Sequence, residues 1–271
     1  MWIRPRGLWD SSPVIVNVGQ DSRQNPHRIQ AAVNSPRGSD TAHYGVAKGH
    51  NPRMGFAYSD LRPYLDSLMP PRHPELVEME RFAAETNFPI LGPASCHFCY
   101  LLARLAGARR VFELGSGYGY STAWFARAVD ENGGGLVHHV VWDEDLSDRA
   151  RGHLGRLGYP PHGSGARTEI AYTVAEALGA LRSTEETFDL IFNDIDKEAY
   201  PDTVETVHSR LRPEGLFITD NVVWSGKVID PIQNDSATEA IRRFTTMMST
   251  DDRWVSSVVP IRDGLLVAQR R

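Results

Sequence analysis

From Arg110 onward, short apolar runs of strand length alternate with amphipathic stretches, and this alternation limits the possible folds more than any other feature of the chain. Arg110–Leu114, Leu136–Trp142, Thr168–Thr173, Phe188–Asn193 and Leu216–Thr219 read as strands. Helices are predicted between them at about 120–130, Ser147–Leu157, Ala175–Leu181 and 199–211. Two more precede the first strand, at 74–86 and 94–107. A late helix at 237–249 places Ala240, Ile241, Phe244, Met247 and Met248 on one face. Nearly continuous apolar strands alternating with helices imply a parallel sheet covered on both sides. The last two strands, Val255–Val259 and Leu265–Gln269, flank an Asp263-Gly264 turn and must be antiparallel neighbours. The expected fold class is α/β: a doubly wound seven-stranded sheet, mostly parallel, with a reversed last strand.

The chain has 271 residues, enough to bury a core without disulfides or structural metals. Its composition changes near residue 54. Residues 1–53 are rich in Arg, Asn, Ser, Gly, Pro and His and hold no helical or strand period. They read either as a disordered or loosely attached extension or as an artefact of a start at Met54. Residues 54–271 read as a single domain. A net charge of −5 gives no basic field for nucleic acid, so no nucleic-acid partner is expected. No apolar run reaches membrane-spanning length, and Met1–Gly19 lacks a secretory apolar region. With only two cysteines, a reducing, cytoplasmic setting is expected.

The first strand runs into Gly115, Gly117 and Gly119 and then a helix, in the segment VFELGSGYGYSTAWFARA. Glycines there let the backbone turn sharply and approach a ligand, and the helix start offers free N–H groups. Ser121, in the first turn, can donate a hydroxyl hydrogen bond. A dinucleotide fingerprint needs Gly or Ala where Tyr120 stands. Glu113, just before the loop, would repel a diphosphate and suit an ammonium group. The second strand ends in WDEDLSD, and an acid there can accept ribose hydroxyls, with Asp143 the first choice and Asp145 the second. Together these features favour an adenosyl ligand, and S-adenosylmethionine over NAD.

The fourth strand ends in NDIDKEAY and the fifth in TDNVVWSGKV. In a parallel sheet both ends reach the ligand-bearing edge, so Asp194, Asp220 and Asn221 should converge. Three oxygen donors without His or Cys suit a hard divalent cation, Mg²⁺ or Ca²⁺. Lys197 follows Asp194 by three residues and is the candidate base. Trp224 could wall an aromatic acceptor. Cys96 and Cys99 form one isolated C-x-x-C pair on a predicted helix and read as core, with His97 between them.

ELGSGYGYS at 113–121, FDLIFNDIDKEAY at 188–200, DNVVWSGKV at 220–228 and the closing IRDGLLVAQ together resemble the cation-dependent class I O-methyltransferases, the group of catechol and caffeoyl-CoA O-methyltransferases. The likeness spans about residues 60–271 and implies the Rossmann-like methyltransferase fold. It implies that Glu113, Gly115, Ser116, Gly117, Ser121 and Asp143 hold S-adenosylmethionine, with Ala177 and Asp196 adjacent. It also implies Asp194, Asp220 and Asn221 as ligands of a divalent cation, most naturally Mg²⁺, and Lys197 as the catalytic lysine beside Asp194. The implied reaction is methyl transfer to a hydroxyl of a small aromatic, catechol-like acceptor lined by Trp224, and the implied assembly is a homodimer. Two stretches depart from the family pattern, Ala175-Glu176-Ala177 and GPASCHFC at 92–99. A dinucleotide-dependent oxidoreductase and a non-catalytic ligand-binding module are the alternatives.

Overall fold

A computed structural model describes residues 64–271. The expected division of the chain at residue 53 lies outside the described residues. Helices α1 (Pro74–Thr86) and α2 (Pro93–Leu105) lead into β1 (Arg110–Leu114), α3 (Tyr120–Glu131), β2 (Gly135–Val141), α4 (Glu144–Arg156) and β3 (Thr168–Val174). Then follow α5 (Ala177–Ser183), β4 (Phe188–Asn193), α6 (Tyr200–Arg210), β5 (Leu211–Thr219), α7 (Ser236–Thr250), β6 (Trp254–Val259) and β7 (Leu265–Arg270). The strands lie in the order β3-β2-β1-β4-β5-β7-β6. The first five are parallel, and β7 runs antiparallel to both β5 and β6. This is the doubly wound, seven-stranded sheet that the alternation predicts.

Element boundaries move by a few residues for local reasons. Helix α4 starts three residues earlier than its apolar period suggests, because the Asp143 carboxylate accepts the backbone N–H of Leu146 and caps the helix. Asp235 caps α7 in the same way through the N–H of Thr238. Strand β5 begins at Leu211, five residues before its apolar run, with an irregularity opposite β4 between Phe188 and Leu190.

Strand alternation sorts the core into two layers. Phe112, Leu114, Ile191 and Phe217 pack with Leu181, Val204, Val207, Ile241, Phe244 and Met248 of α5, α6 and α7. On the opposite face the Phe192 ring meets Phe125 of α3 with centroids 5.4 Å apart. Cys96 and Cys99 are buried free thiols on α2, as the isolated pair predicts, and His97 packs against Tyr100 and Trp124. Among the described residues no helix is long and apolar enough to cross a membrane.

Phe244 is fully buried, with its ring 5.5 Å from Tyr200 and 6.1 Å from Phe217. Phe244→Ala is expected to lower stability by about 3–5 kcal/mol through lost burial and the cavity left behind. Leu105→Ala, at a side chain 76% exposed, should cost less than about 0.5 kcal/mol. Urea unfolding of both variants checks the layer assignment, and similar losses would refute it.

Candidate functional site

Hydrogen bonding continues past the strand ends and assembles one edge of the sheet. Ser116 N donates to Val140 O (2.9 Å), Asp194 N to Leu114 O (2.8 Å), Asp220 N to Asn193 O (3.0 Å) and Ala175 N to Val141 O (3.0 Å). The loops leaving β1, β2, β3, β4 and β5 therefore share one rim, and a cavity of about 830 Å³ opens there. Its wall includes Gly115, Ser116, Gly117, Ser121, Ala177, Asp194, Asp196, Lys197, Asp220, Asn221 and Trp224. All eleven come from the candidate set read from the sequence, with Asp196 exposed on the rim.

Gly115 has φ +85°, and a Cβ there would stand 2.6 Å from the backbone oxygen of Asp194. Only glycine allows the first loop to lie so close to the exit of β4.

Two predicted cofactor residues lie elsewhere. Glu113 is fully buried and absent from the cavity wall. One position before the end of β1, strand alternation turns its side chain under α3. There it accepts hydrogen bonds from Ser121 Oγ (2.5 Å) and Thr122 Oγ1. Thr122 Oγ1 also lies 3.1 Å from His139 Nδ1; since the hydroxyl donates to Glu113, it accepts from the imidazole. Burial pushes the Glu113 carboxyl up to about 7, against the lowering pull of the Ser121, Thr122 and Ser116 hydroxyls. Asp143 is exposed, caps α4 and is also absent from the wall; Val141 and Trp142 line the cavity at the end of β2. Asp145, the second choice, is exposed in the first turn of α4.

Ser116 is buried, and its hydroxyl accepts the N–H of Val140 (2.9 Å). Tyr120 is buried too, and its hydroxyl donates to Glu80 (2.8 Å).

The acidic end of the cavity is built by β4 and β5. Lys197 Nζ donates to Asp194 Oδ1 (2.8 Å) and to Ile195 O (3.1 Å). The same ammonium lies 5.3 Å from the Tyr200 ring centroid and 5.9 Å from that of Trp224. Asp220 is 2% exposed, and its Oδ1 is buried with no hydrogen-bond partner among the described residues. Burial raises both carboxyls, and the charge on Asp194 helps hold Asp220 up at about 7. Asn221 has φ +58°, and its Nδ2 donates to Asp263 Oδ2 (3.2 Å). Among the described residues no group of three or more His, Cys, Asp or Glu side chains gathers as a metal cluster. The candidate donor set here is two carboxylates and one amide.

Sequence reasoning missed Phe88 to Leu91, the link between α1 and α2, which also lines the cavity. It also missed Glu176, which caps α5 through the N–H groups of Leu178 and Gly179 and lines the cavity. The Asn87–Pro89 break could have marked the first; a lone acid before a short helix carries no comparable signal.

The family model described as O-methyltransferase matches residues 67–271. The chain belongs to the O-methyltransferase family. It is 28% identical over 216 residues to a catechol O-methyltransferase of Niastella koreensis, covering 76% of this chain and 94% of that one. An O-methyltransferase from Bacillus cereus, solved in complex with SAH, superposes with a TM-score of 0.65 at 28% identity, over 78% of this chain and 97% of the other. TomG of Streptomyces achromogenes, an O-methyltransferase of tomaymycin synthesis solved with SAM, superposes with a TM-score of 0.65 at 25% identity, over 78% and 96%. Membership in this enzyme family sets aside both the dinucleotide-dependent oxidoreductase and the non-catalytic module.

The buried Glu113 of this O-methyltransferase gives a pH test. Its ordinary carboxyl value is 4.5 and its folded value about 7. Between those limits the native state holds a proton that the unfolded chain has released, so stability falls as pH rises through the window and levels off above it. Glu113→Gln cannot titrate. Its stability relative to wild type should therefore rise between pH 5 and pH 8, measured by urea unfolding; parallel profiles for the two proteins would show that Glu113 ionises normally.

Proposed function

We propose that this O-methyltransferase moves the methyl group of S-adenosylmethionine to a hydroxyl of a small aromatic, catechol-like acceptor, with a divalent cation, Mg²⁺ first, held by Asp194, Asp220 and Asn221. The observation that carries the reading is the buried, unpartnered Asp220 Oδ1 beside a second raised carboxyl, in the same cavity as the glycine loop. Two acids in one desolvated corner resist double ionisation, and a bivalent cation relieves that repulsion while meeting the orphaned oxygen. All-oxygen donors match a hard ion. When bound there, the cation supplies Lewis-acid charge that lowers the pKa of an acceptor hydroxyl.

The methyl donor fits along the glycine loop. Gly115 and Gly117 bring backbone close, Ser116 and Ser121 border it, and Ala177 and Asp196 stand across the rim. Glu113 acts from beneath, holding Ser121 in place. SAH and SAM in the Bacillus cereus and TomG structures support this donor, and the name of the Niastella relative supports the acceptor class.

Lys197 is the base: after its ammonium gives one proton to solvent, the neutral amine at Nζ, held by Asp194 Oδ1 and Ile195 O, accepts the hydroxyl proton and returns to the ammonium form. Trp224 flanks that nitrogen and offers a flat wall to an aromatic ring. Phe88, Ile90 and Leu91 add apolar lining to the same cavity. Charge is lost as an oxyanion meets a sulfonium, so a water-poor cavity favours that step. Holding both partners in line removes a further entropic barrier, of roughly 7–11 kcal/mol in well-aligned systems.

The test is a product-mass screen of vicinal-diol aromatics with labelled S-adenosylmethionine, with Mg²⁺ and with excess chelator. A product one methyl group heavier is expected with Mg²⁺ only. Asp194→Asn should cut cation-stimulated turnover by about 100-fold or more, leaving donor affinity by calorimetry within about threefold of wild type. Full turnover in chelator would refute the cation.

A further inference from the structure

The closing segment IRDGLLVAQ has no part in the reaction as derived, yet its turn grips the loop that bears Asn221. Asp263 Oδ2 accepts from Asn221 Nδ2 (3.2 Å), and its Oδ1 accepts from the backbone N–H of Ser225. The main chains are joined as well: Val223 N donates to Asp263 O (2.9 Å) and Val222 N to Gly264 O (3.1 Å). Gly264 has φ +82°, and a Cβ there would lie 2.3 Å from Val223 Cγ2 and 3.0 Å from Val223 N. The loop so held is unusual, because Asn221, Trp224 and Ser225 all have left-handed φ, between 51° and 58°. Such conformations persist in non-glycine residues only when surrounding contacts fix them.

We infer that Asp263 is a positioning residue for the cation site: by taking the Asn221 amide nitrogen and the Ser225 N–H together, it presents Asn221 to the cation through its carbonyl oxygen. The inference rests on the proposed cation reading. An asparagine end is ambiguous, since its oxygen attracts a cation and its NH₂ repels one. A carboxylate at Nδ2 removes the ambiguity, since only the NH₂ end can donate to it. Outer partners of this kind commonly set metal affinity by 10–100-fold.

The experiment is Mn²⁺ binding to the full chain, by calorimetry and by electron paramagnetic resonance, without acceptor or turnover. Four proteins are compared with wild type: Asp263→Ala, Asp263→Asn, Asn221→Ala and the Asp263→Ala/Asn221→Ala double variant. Asp263→Ala is expected to weaken Mn²⁺ binding by about 10–100-fold. Asp263→Asn, with one carbonyl oxygen for two donors, should fall between it and wild type. If Asp263 acts through Asn221, the double variant binds no more weakly than Asn221→Ala alone. S-adenosylmethionine affinity reports whether the rest of the cavity is intact, and Asp263→Asn carries the comparison if the alanine variant does not fold. Wild-type Mn²⁺ affinity in the Asp263 variants, or losses that add in the double variant, overturns the proposal. Wild-type protein that binds no Mn²⁺ is a separate result, which removes the cation reading itself.

Discussion

A carbonyl oxygen occupies the space where a side chain at position 115 would begin. The 2.6 Å between that phantom Cβ and Asp194 O means that the loop leaving β1 and the exit of β4 are pressed together, and only glycine permits it. The hydrogen bond from Asp194 N to Leu114 O draws the same two strand ends together, and the bond from Asp220 N to Asn193 O extends the arrangement to β5. Donor loop and acidic corner are therefore one construction. A wider crossing would leave the glycine loop and Asp194 on separate surfaces, with no shared cavity for two reactants. Parallel strands bring their C-terminal ends to one edge as a matter of topology. The close approach at Gly115 turns that shared edge into a site with ångström-scale spacing.

Burial then gives the edge its electrostatic character. Glu113 and Asp220 are both shifted up to about 7, but for different purposes. Glu113 is compensated by neighbouring hydroxyls and belongs to the framework under α3. Asp220 keeps one oxygen unmatched and feels the charge of Asp194. Desolvated like charges cost free energy unless a cation shares them. Lys197 answers part of this through Asp194. Arg262 and Lys197 also pull the Asp220 carboxyl down, yet burial and the Asp194 charge outweigh them and leave it raised.

Much of this was legible in the sequence, because the signals were periodic or local. Seven apolar runs marked the strands, and the residues straight after β1, β4 and β5 were bound to share an edge. What stayed hidden depended on side-chain direction. Glu113 stands next to the loop in sequence, but strand alternation sends its carboxylate to the α3 face, where hydroxyls hold it. Asp143 has the position of a ribose-binding acid, and its extended backbone also lets one carboxylate oxygen, Oδ1, cap α4. Phe88–Leu91 and Asp263 lie far along the chain from the residues they face, and no spacing rule reaches that distance. The Asp263-Gly264 pair was readable as a turn, while its grip on Asn221 required the sheet order.

That order explains why the final strand is reversed. A β7 parallel to β5 would start at the opposite edge of the sheet, and the turn before it would lie far from the cavity. Running antiparallel, β7 pairs Leu266 with Thr219, so its first residues stand at the end of β5. The turn between β6 and β7 is thereby delivered beside residues 220–225. Asp263 can then bond Asn221 and Ser225, while Gly264 admits Val223 at a distance no side chain would allow. The antiparallel strand thus does more than finish the sheet. It returns the chain to the catalytic edge once more and supplies a brace that a purely parallel arrangement could not place there.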